Sequence, residues 1–333
     1  MPLLSEFEIT LQERSLVTPG DKIFVACSGG PDSVALLFLL YSITARWNLK
    51  LGVLHFNHGI RGKEAQRDEV FVRKLAKTLH LPVTIQRGKV SSRQKGVNLS
   101  LEERAREARY DFLIRAAKKN RVTTIALAHT LDDQAETVMM RILQGTGLKG
   151  LLGVREIMRQ GGITFVRPLL CFTKTQILDY LKSHQIPFRI DESNASLSFL
   201  RNRIRLKLIP RLIKEFNPRI REALARIPAI VQEENRMLEE LEKAAWKRSF
   251  RRVSKKKLYL DRKSFSKFPS PLQFRVIDRA LKKVHARSGL NFEAWQRLRK
   301  NLGLGRYRCS LPRNVDFTLT PSHVILYRKG SRS

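Results

Sequence analysis

Short apolar runs alternate with amphipathic stretches over the first two thirds of the chain. The runs hold four to eight residues, as buried strands do, and turn-forming or polar residues separate them. The amphipathic stretches repeat apolar residues at helical spacing, as Val70, Phe71, Leu75 and Leu79 do in residues 63–80. Strands alternating with helices predict an α/β fold whose doubly wound, mostly parallel sheet is covered on both faces. The predicted strands are residues 23–27, 51–56, 82–85, 123–128 and 163–170, and the predicted helices are 63–80, 101–119, 131–143 and 173–184.

The last third of the chain is built differently, with a charged helix predicted over residues 219–247 and a basic run over residues 248–257. We place a domain boundary between residues 216 and 217. Residues 1–216 hold 35 basic and 20 acidic side chains, whereas residues 217–333 hold 29 and 10. A basic run is usually a solvated face or a loop, but an excess this large favours a domain that contacts RNA.

The net charge of +34 narrows the class of partner. It comes from 64 Lys and Arg against 30 Asp and Glu, far more than solubility requires, and it favours a polyanion. We find no signal peptide, no apolar run long enough for a membrane span, and no basic amphipathic helix with exposed aromatic residues. Nucleic acid is therefore the expected polyanion. The three cysteines, Cys27, Cys171 and Cys309, lie far apart, which favours a reducing cytoplasm and argues against a structural metal site.

Residues 28–33 join the first predicted strand to an apolar helical run at residues 34–40. Two glycines let the backbone turn sharply, and Ser33 is expected to accept hydrogen bonds from the first N–H groups of the helix. Free N–H groups and the helix dipole attract anions, so the loop is predicted to hold phosphate. Its residues are Ser28, Gly29, Gly30, Pro31, Asp32 and Ser33.

Asp32 is the unusual residue of this loop. A carboxylate repels bound phosphate unless a metal ion bridges the two, so Asp32 predicts Mg²⁺ on the phosphates of a nucleotide. The loop lacks the Gly-Lys-Ser/Thr ending of the mononucleotide-kinase pattern and is also unlike Gly-x-Gly-x-x-Gly.

Polar residues follow other predicted strands at the edge where ligands bind in parallel sheets. Residues 55–58 end the second strand, and His129 ends the fourth. After His129, a helix begins with Asp132, Asp133 and Glu136 in its first turns. The plainer alternative is ordinary helix chemistry, because acidic residues suit that end.

Two further segments carry cationic candidates. Residues 145–153 contain four glycines and Lys149, which is either a flap that brings the lysine near phosphate or a flexible connector. Arg201 and Arg205 are four residues apart and share a helix face that suits phosphate or a polyanion. A structural ion pair is the alternative, which few acids nearby in the sequence support.

The loop at residues 28–33 resembles that of the PP-loop ATP pyrophosphatases, which split ATP between its α and β phosphates. The series of motifs resembles one family of that group, the tRNA(Ile)-lysidine synthetases. The chain is short for this family and is expected to be its compact form. The segments that carry the resemblance are residues 28–33, 55–58, 101–110, 129–137, 145–153, 167–169, 191–194 and 201–205.

The resemblance implies an ATP-binding catalytic domain at residues 1–216 and a tRNA-binding domain at residues 217–333. It implies ATP and Mg²⁺ as cofactors, tRNA(Ile) with a CAU anticodon and free L-lysine as partners, and lysidine as product. A homodimer is left open.

The resemblance also implies roles for the residues noted above. The loop would bind the ATP phosphates, with Asp32 on Mg²⁺. His129 would touch the nucleotide, and the helical acids would recognise lysine or remove a proton. Candidates to neutralise phosphate or hold RNA are Arg109, Lys149, Arg201 and Arg205.

Two other functions stay open. A tRNA thiolase of the same fold shares the loop but uses cysteine pairs or cluster ligands. A non-catalytic RNA-binding protein is also considered, but the loop with Asp32 and Ser33 argues against it.

Overall fold

The computed structural model describes residues 2–57, 63–88, 101–190, 199–254, 257–284, 290–311 and 314–328. The chain forms two compact units, Met1–Val231 and Gln232–Ser333. The division falls inside a long helix, later than the boundary placed at residues 216 and 217, which stays a prediction for the functional domains.

The first unit contains a six-stranded sheet. Its strands are β1 (Lys22–Ala26), β2 (Lys50–Asn57), β3 (Val83–Arg87), β4 (Thr124–Ala126), β5 (Ile157–Gln160) and β6 (Ile163–Val166). They lie in the order β3-β2-β1-β4-β6-β5, and every neighbouring pair is parallel except β5 with β6. The chain winds outward in opposite directions from β1 and β4, so a crevice opens between their carboxyl ends.

Helices cover this sheet as the sequence predicted. Helix α2 is almost wholly apolar and buried because the sheet and other helices surround it. The helices of this part are α1 (Leu3–Glu13), α2 (Pro31–Trp47), α3 (Lys63–Thr78), α4 (Leu101–Lys119), α5 (Leu131–Leu143), α6 (Leu148–Leu151), α7 (Lys174–Ser183), α8 (Leu200–Arg203), a π-helical turn (Ile204–Leu208) and α9 (Ile209–Glu215). The long helix α10 (Ile220–Ser249) begins in this unit and ends in the second.

The predicted α/β class is confirmed, with two corrections at one edge of the sheet. The sequence analysis missed β5, which pairs antiparallel with β6 through a tight turn at Gly161 and Gly162. Both glycines have positive φ, as this two-residue hairpin turn requires. The predicted strand at residues 163–170 is also too long: β6 ends at Val166, shortly before Pro168, which has no N–H to donate to a ladder.

The second unit contains a five-stranded antiparallel sheet in the order β7-β8-β11-β10-β9. Its elements are β7 (Phe250–Ser254), β8 (Lys257–Asp261), α11 (Arg262–Ser266), α12 (Ser270–Val284), α13 (Phe292–Lys300), β9 (Tyr307–Leu311), β10 (Val315–Leu319) and β11 (His323–Arg328). The three helices pack on one face, around Leu258, Leu260, Phe265, Ile277 and Phe317.

The basic run at residues 248–257 is not a loop over most of its length, because Phe250–Ser254 is the edge strand β7. Residues 251–253 of this strand are exposed, which agrees with the solvated face that was one alternative. Within the described part of the chain, no helix is long and apolar enough to cross a membrane.

The carboxyl end of β2 is joined to α3 and β3 by Glu69, whose side chain is 8% exposed. Arg87 donates to Glu69 over 2.8 Å, and Arg73 and Asn57 also donate to it. The bonds from Arg87 lower the pKa of Glu69 to about 2. The carboxylate form is therefore held in the folded state.

We expect Glu69→Gln to reduce the free energy of unfolding by about 2 kcal/mol at pH 7, since the amide loses the charged hydrogen bonds. The pKa of Glu69 in the folded state lies below its ordinary value of 4.5. The difference in stability between the two proteins should therefore have its full size above about pH 4.5 and should shrink as the pH falls toward 2. Chemical denaturation at several pH values measures it, with the exposed Glu240→Gln as control. Equal effects of both substitutions would contradict the assignment.

Candidate active site

The loop after β1 is shaped by two glycines and closed by a serine. Gly29 has φ +93°, and a Cβ there would lie 3.3 Å from the ring of Phe71. Ser33 Oγ accepts from the N–H of Ser28 over 3.1 Å and donates to the carbonyl of Gly30 over 3.0 Å. The expectation that Ser33 caps the helix is therefore wrong, because Ser33 lies inside the first turn of α2 and bonds to the loop instead.

Gly30 is the N-cap residue of α2, and within the described residues no side chain caps this helix. The N–H groups of its first turn consequently keep the electropositive character that favours an anion. This geometry supports the phosphate-binding prediction for the loop.

A cavity of about 980 Å³ opens over this loop at the carboxyl ends of β1, β2 and β4. Polar groups from α2, α4, α5, α7 and α8 converge on it, and Leu54, Phe56 and Leu127 form an apolar part of its wall. Of the residues singled out from the sequence, the following line it: Ser28, Gly30, Pro31, Asp32, Ser33, Arg109, His129, Asp133, Arg201 and Arg205.

The other candidates lie elsewhere. Gly29 forms the turn of the loop, while Asp132 and Glu136, on α5, and Lys149, on α6, are not among the described residues that line the cavity. Other parts of the expected pattern lie outside the described residues, namely His58, the side chains of Leu101 and Glu102, and residues 191–194.

Asp32 lies in the cavity wall with its side chain 24% exposed. Burial raises the pKa of Asp32 to about 6, although Lys174 opposes this shift. The ammonium of Lys174 is 3.9 Å from Asp32 Oδ2 and also 3.9 Å from Asp133 Oδ1. One lysine shared at that distance compensates the partly buried carboxylate incompletely, which leaves Asp32 suited to a further cation.

Asp133 and Glu136 are engaged by two arginines. Arg201 donates to Asp133 and to Glu136, each over 2.9 Å. Arg205 Nε lies 2.5 Å from Glu136 Oε1, and its Nη2 lies 3.3 Å from Asp133 Oδ1. The Glu136 side chain is only 3% exposed, so its charge depends on these partners.

This cluster corrects one premise of the sequence analysis. Few acids lie near Arg201 and Arg205 in the sequence, which favoured a phosphate or RNA role over a structural ion pair. The fold supplies the acids from α5, so the ion pair is present. A role in phosphate or RNA binding stays a prediction for both arginines, which also line the cavity.

The start of α5 also has the capping interactions of an ordinary helix N-terminus, which was the plainer interpretation of these acidic residues. Thr130 is the N-cap residue, and Asp133 accepts from its N–H over 3.0 Å. Burial opposes ionisation of Asp133, but Lys174 and Arg201 together with this bond lower its pKa. Asp132 accepts from the N–H of Lys174 over 2.8 Å and pairs with Arg221 at 3.1 Å. All three acids therefore have structural partners.

His129 lies at the carboxyl end of β4, near the buried Arg167 and the partly buried Arg109. Arg167 Nε donates to His129 Nδ1 over 3.3 Å, which leaves the proton of the neutral ring on Nε2. Burial, together with the charge of Arg167, lowers the pKa of His129 to about 3. At neutral pH this ring is a hydrogen-bond donor and a poor base.

Arg109, on α4, adds a positive charge to the wall of the cavity. Burial lowers the pKa of Arg109, and none of the described carboxylates forms an ion pair with it. A partly buried guanidinium without a carboxylate partner favours the arrival of an anion.

Several charged residues of the cavity wall were not predicted from the sequence. Lys174 is the first helical residue after the cap Thr173, and its position after the strand beside β4 is a signal that was available. Arg189 had no such signal: its N–H donates to the carbonyl of Gly29, and its guanidinium pairs with Asp68 at 2.6 Å. The missed wall residues with charged side chains are Glu64, Arg67, Asp68, Arg106, Lys174 and Arg189.

We expect Glu136→Gln to lower the free energy of unfolding by about 2 kcal/mol, since the charge that compensates Arg201 and Arg205 is removed from a buried position. Chemical denaturation at pH 7 measures this loss. The control is Glu215→Gln, which removes an exposed acid paired with Arg211. A loss no larger than that of the control would show that the cluster does not stabilise the fold.

Residues 3–212 match a family described as the PP-loop domain. Curated relatives named tRNA(Ile)-lysidine synthase are 36% identical over 292 residues in Symbiobacterium thermophilum, 39% over 236 in Dehalococcoides mccartyi and 36% over 272 in Clostridium acetobutylicum. These matches cover 85%, 69% and 82% of this chain and 60%, 50% and 58% of the relatives. The chain thus spans little more than half the length of the curated relatives it matches.

Among solved structures, the U34-tRNA thiolase NcsA from Methanococcus maripaludis, with its [4Fe-4S] cluster, is similar in fold. The TM-score is 0.56 at 20% identity, covering 69% of this chain and 78% of the thiolase. This likeness shows the fold alone. Since the match to the family extends from α1 to α9 and includes the whole parallel sheet, the chain belongs to the PP-loop domain family.

Proposed function

We propose that the chain joins lysine to the wobble cytidine of the CAU anticodon of tRNA(Ile). The cytidine O2 attacks the α-phosphorus of ATP, the bond to the β-phosphate breaks, and pyrophosphate leaves. The ε-amine of lysine then attacks C2 of the adenylated cytidine, AMP leaves with the former O2, and the amine loses its extra proton. The product is lysidine. The relatives named tRNA(Ile)-lysidine synthase, 36–39% identical, support this reaction.

The observation that carries the proposal is the uncapped start of α2 beneath a large cavity that contains cationic side chains. The triphosphate is the ligand that this corner suits, because backbone N–H groups and the helix dipole stabilise its charge. Arg109 and Lys174 add cations at the wall, where charge increases during phosphoryl transfer.

Mg²⁺ fits the same corner, since Asp32 is a partly buried carboxylate that Lys174 compensates only from 3.9 Å. Bound there, Mg²⁺ would neutralise charge on the triphosphate and on Asp32 together. We infer that Asp32 is its ligand from the chain and that the loop backbone holds the phosphates.

The second step requires that the lysine amine lose a proton. His129 is poorly suited to accept it, because its pKa is about 3, and we propose that its Nε2–H donates to the nucleotide instead. Asp132, Asp133 and Glu136 stay candidates for lysine recognition or proton removal. Since each is already bonded to basic groups, either role requires those ion pairs to rearrange when lysine binds.

The partner and location follow from the same proposal. The basic second unit would contact tRNA, and an enzyme that uses ATP, tRNA and free lysine is expected in the cytoplasm. Lys149 stays a candidate for phosphate binding, and a homodimer stays open.

Sulfur transfer to tRNA is the competing function, because the solved structure with a similar fold is a tRNA thiolase. Sulfur transfer and cluster binding use thiolates. Burial raises the pKa of Cys27, Cys171 and Cys309, which favours the thiol form of each. The ligase is therefore preferred, and replacing all three cysteines should leave its activity in place.

We expect Asp32→Ala to reduce tRNA-dependent pyrophosphate release by at least about a hundredfold, because the metal-binding carboxylate is lost. Release from ATP and total tRNA is the measurement. The control is Asp179→Ala, an exposed acid on α7. Near-normal turnover of the Asp32 variant would overturn its assignment.

The order of the steps predicts how the two products depend on lysine. With ATP, Mg²⁺ and tRNA alone, pyrophosphate should appear without AMP, since AMP stays bonded to the cytidine. Adding lysine should release AMP in an amount equal to pyrophosphate. Chromatography of labelled ATP products measures both, and AMP release that is independent of lysine would exclude the amine as second substrate.

A further inference from the structure

The antiparallel sheet of the second unit has one covered face and one open face. In β8, Leu258 and Leu260 are fully buried in the core, whereas Lys257 and Tyr259 alternate with them and are partly exposed. β11 continues the alternation, with buried Leu326 beside the partly exposed Tyr327. The outward side chains consequently form a surface of their own.

Cations and tyrosine rings are stacked on this outward face. Arg252 Cζ lies 5.2 Å from the centre of the Tyr259 ring. Lys257 Nζ lies 5.1 Å, and Arg308 Cζ 5.9 Å, from the centre of the Tyr327 ring. Strand register brings these groups together, since Arg252 pairs with Tyr259 and Lys257 with Tyr327. We name Arg252, Lys257, Tyr259, Arg308 and Tyr327 the stacking face.

Neighbouring groups on the same face of the sheet hold these side chains in place, since Asp316 stands opposite Tyr327 and Ser310 in the strand register. Asp316, whose side chain is 3% exposed, accepts from Arg308 over 3.0 Å and from Ser310 over 2.9 Å. The Arg308 side chain itself is 66% exposed, so the buried acid orients a guanidinium that solvent can reach. The ring of His323 meets Tyr259 edge-on at 5.8 Å, which restricts the tyrosine.

The acids near this face are occupied. Asp261 accepts from the N–H of Ser264 at the start of α11 and pairs with Arg251 at 3.2 Å. Asp316 is buried and paired with Arg308. The exposed surface is therefore aromatic and cationic. It belongs to a unit, residues 232–333, whose 26 basic and 9 acidic side chains give it the larger excess of positive charge per residue.

We propose that the stacking face binds an unpaired strand of RNA, with bases stacked on its tyrosine and guanidinium planes and phosphates beside its cations. Stacking is open to every base because each has a π-face, and charge complementarity selects the phosphate backbone. A duplex hides its base faces and would use only the charges. The inference rests on the proposed function, because it assigns part of tRNA binding to this face.

The test measures binding of a labelled unstructured RNA and of a duplex of the same length to the full chain by fluorescence anisotropy. The double variant Tyr259→Leu with Tyr327→Leu keeps apolar side chains on the sheet but removes the rings. It should bind the single strand about tenfold more weakly and the duplex nearly as well as the unmodified chain. Tyr259→Phe with Tyr327→Phe should retain binding, since it retains both rings.

A charge series separates stacking from general attraction. Arg252→Gln and Arg308→Gln should each reduce the slope of log K against log salt for the single strand by about 0.7. The charge control is Lys267→Gln, which removes an exposed cation at the C-cap of α11, outside the stacking face. Combined with the double leucine variant, it should leave the loss of single-strand binding caused by that variant unchanged.

Equal loss for single strand and duplex, or no loss with the leucine variant, would overturn the proposal. So would weakened binding to vesicles of phosphatidylcholine and phosphatidylserine with unchanged RNA binding, which would assign the face to a membrane surface. The assay contains neither ATP nor lysine. The RNA-binding result can therefore be interpreted even if the chain does not catalyse the ligase reaction. Conversely, if the stacking face does not bind RNA, the lysine-dependent release of AMP still tests the proposed function.

Discussion

The candidate site depends on ion pairs between buried carboxylates and partly buried guanidiniums at the carboxyl edge of the parallel sheet. A single buried charge is unfavourable, and the Glu136 side chain, at 3% exposure, has Arg201 and Arg205 as its partners. The same contacts tie α8 and the following π-helical turn to α5. The wall of the cavity is therefore assembled by ion pairs rather than by apolar packing alone.

Asp32 and Asp133 share one lysine but differ in how well the protein compensates their charge. Lys174 lies 3.9 Å from both Asp32 and Asp133. Asp133 also receives two guanidiniums and the N–H of Thr130, and its pKa is lowered. Asp32 has much less compensation, and burial raises its pKa. Asp133 is thus satisfied by the protein, while Asp32 is suited to a cation that arrives with a ligand.

The two units offer different kinds of surface to a polyanion. The first has a deep cavity where helix N–H groups and partly buried cations face a small charged group. The second has an open sheet face where cations lie over tyrosine rings. A reaction on one base of a large RNA requires both kinds of contact, because affinity comes from the backbone and chemistry from a pocket that admits the base.

Local patterns in the sequence determined the elements and the loop. Helices α4 and α5 begin and end where periodicity predicted, and the strand, loop and helix around residues 28–33 form as expected, because these signals lie within a few neighbouring residues. Local signals also failed where neighbours in space intervened, as in β5, which is a strand because β6 lies beside it. The direction of the Ser33 hydroxyl was likewise settled by the turn of the loop.

Only the tertiary structure decided the partners of the charges. Arg201 meets Glu136 across 65 residues of sequence, and Arg189 meets the loop carbonyl of Gly29 from a distant segment. The amino-acid sequence does not give the distance between two side chains that are far apart along the chain. The Coulomb energy of an ion pair and the cost of desolvating it depend steeply on that distance. Residue types and periodicity therefore determined which chemistry is present, and the packing of the parallel sheet and its helices decided which acid each cation neutralises and which carboxylate is left for a ligand.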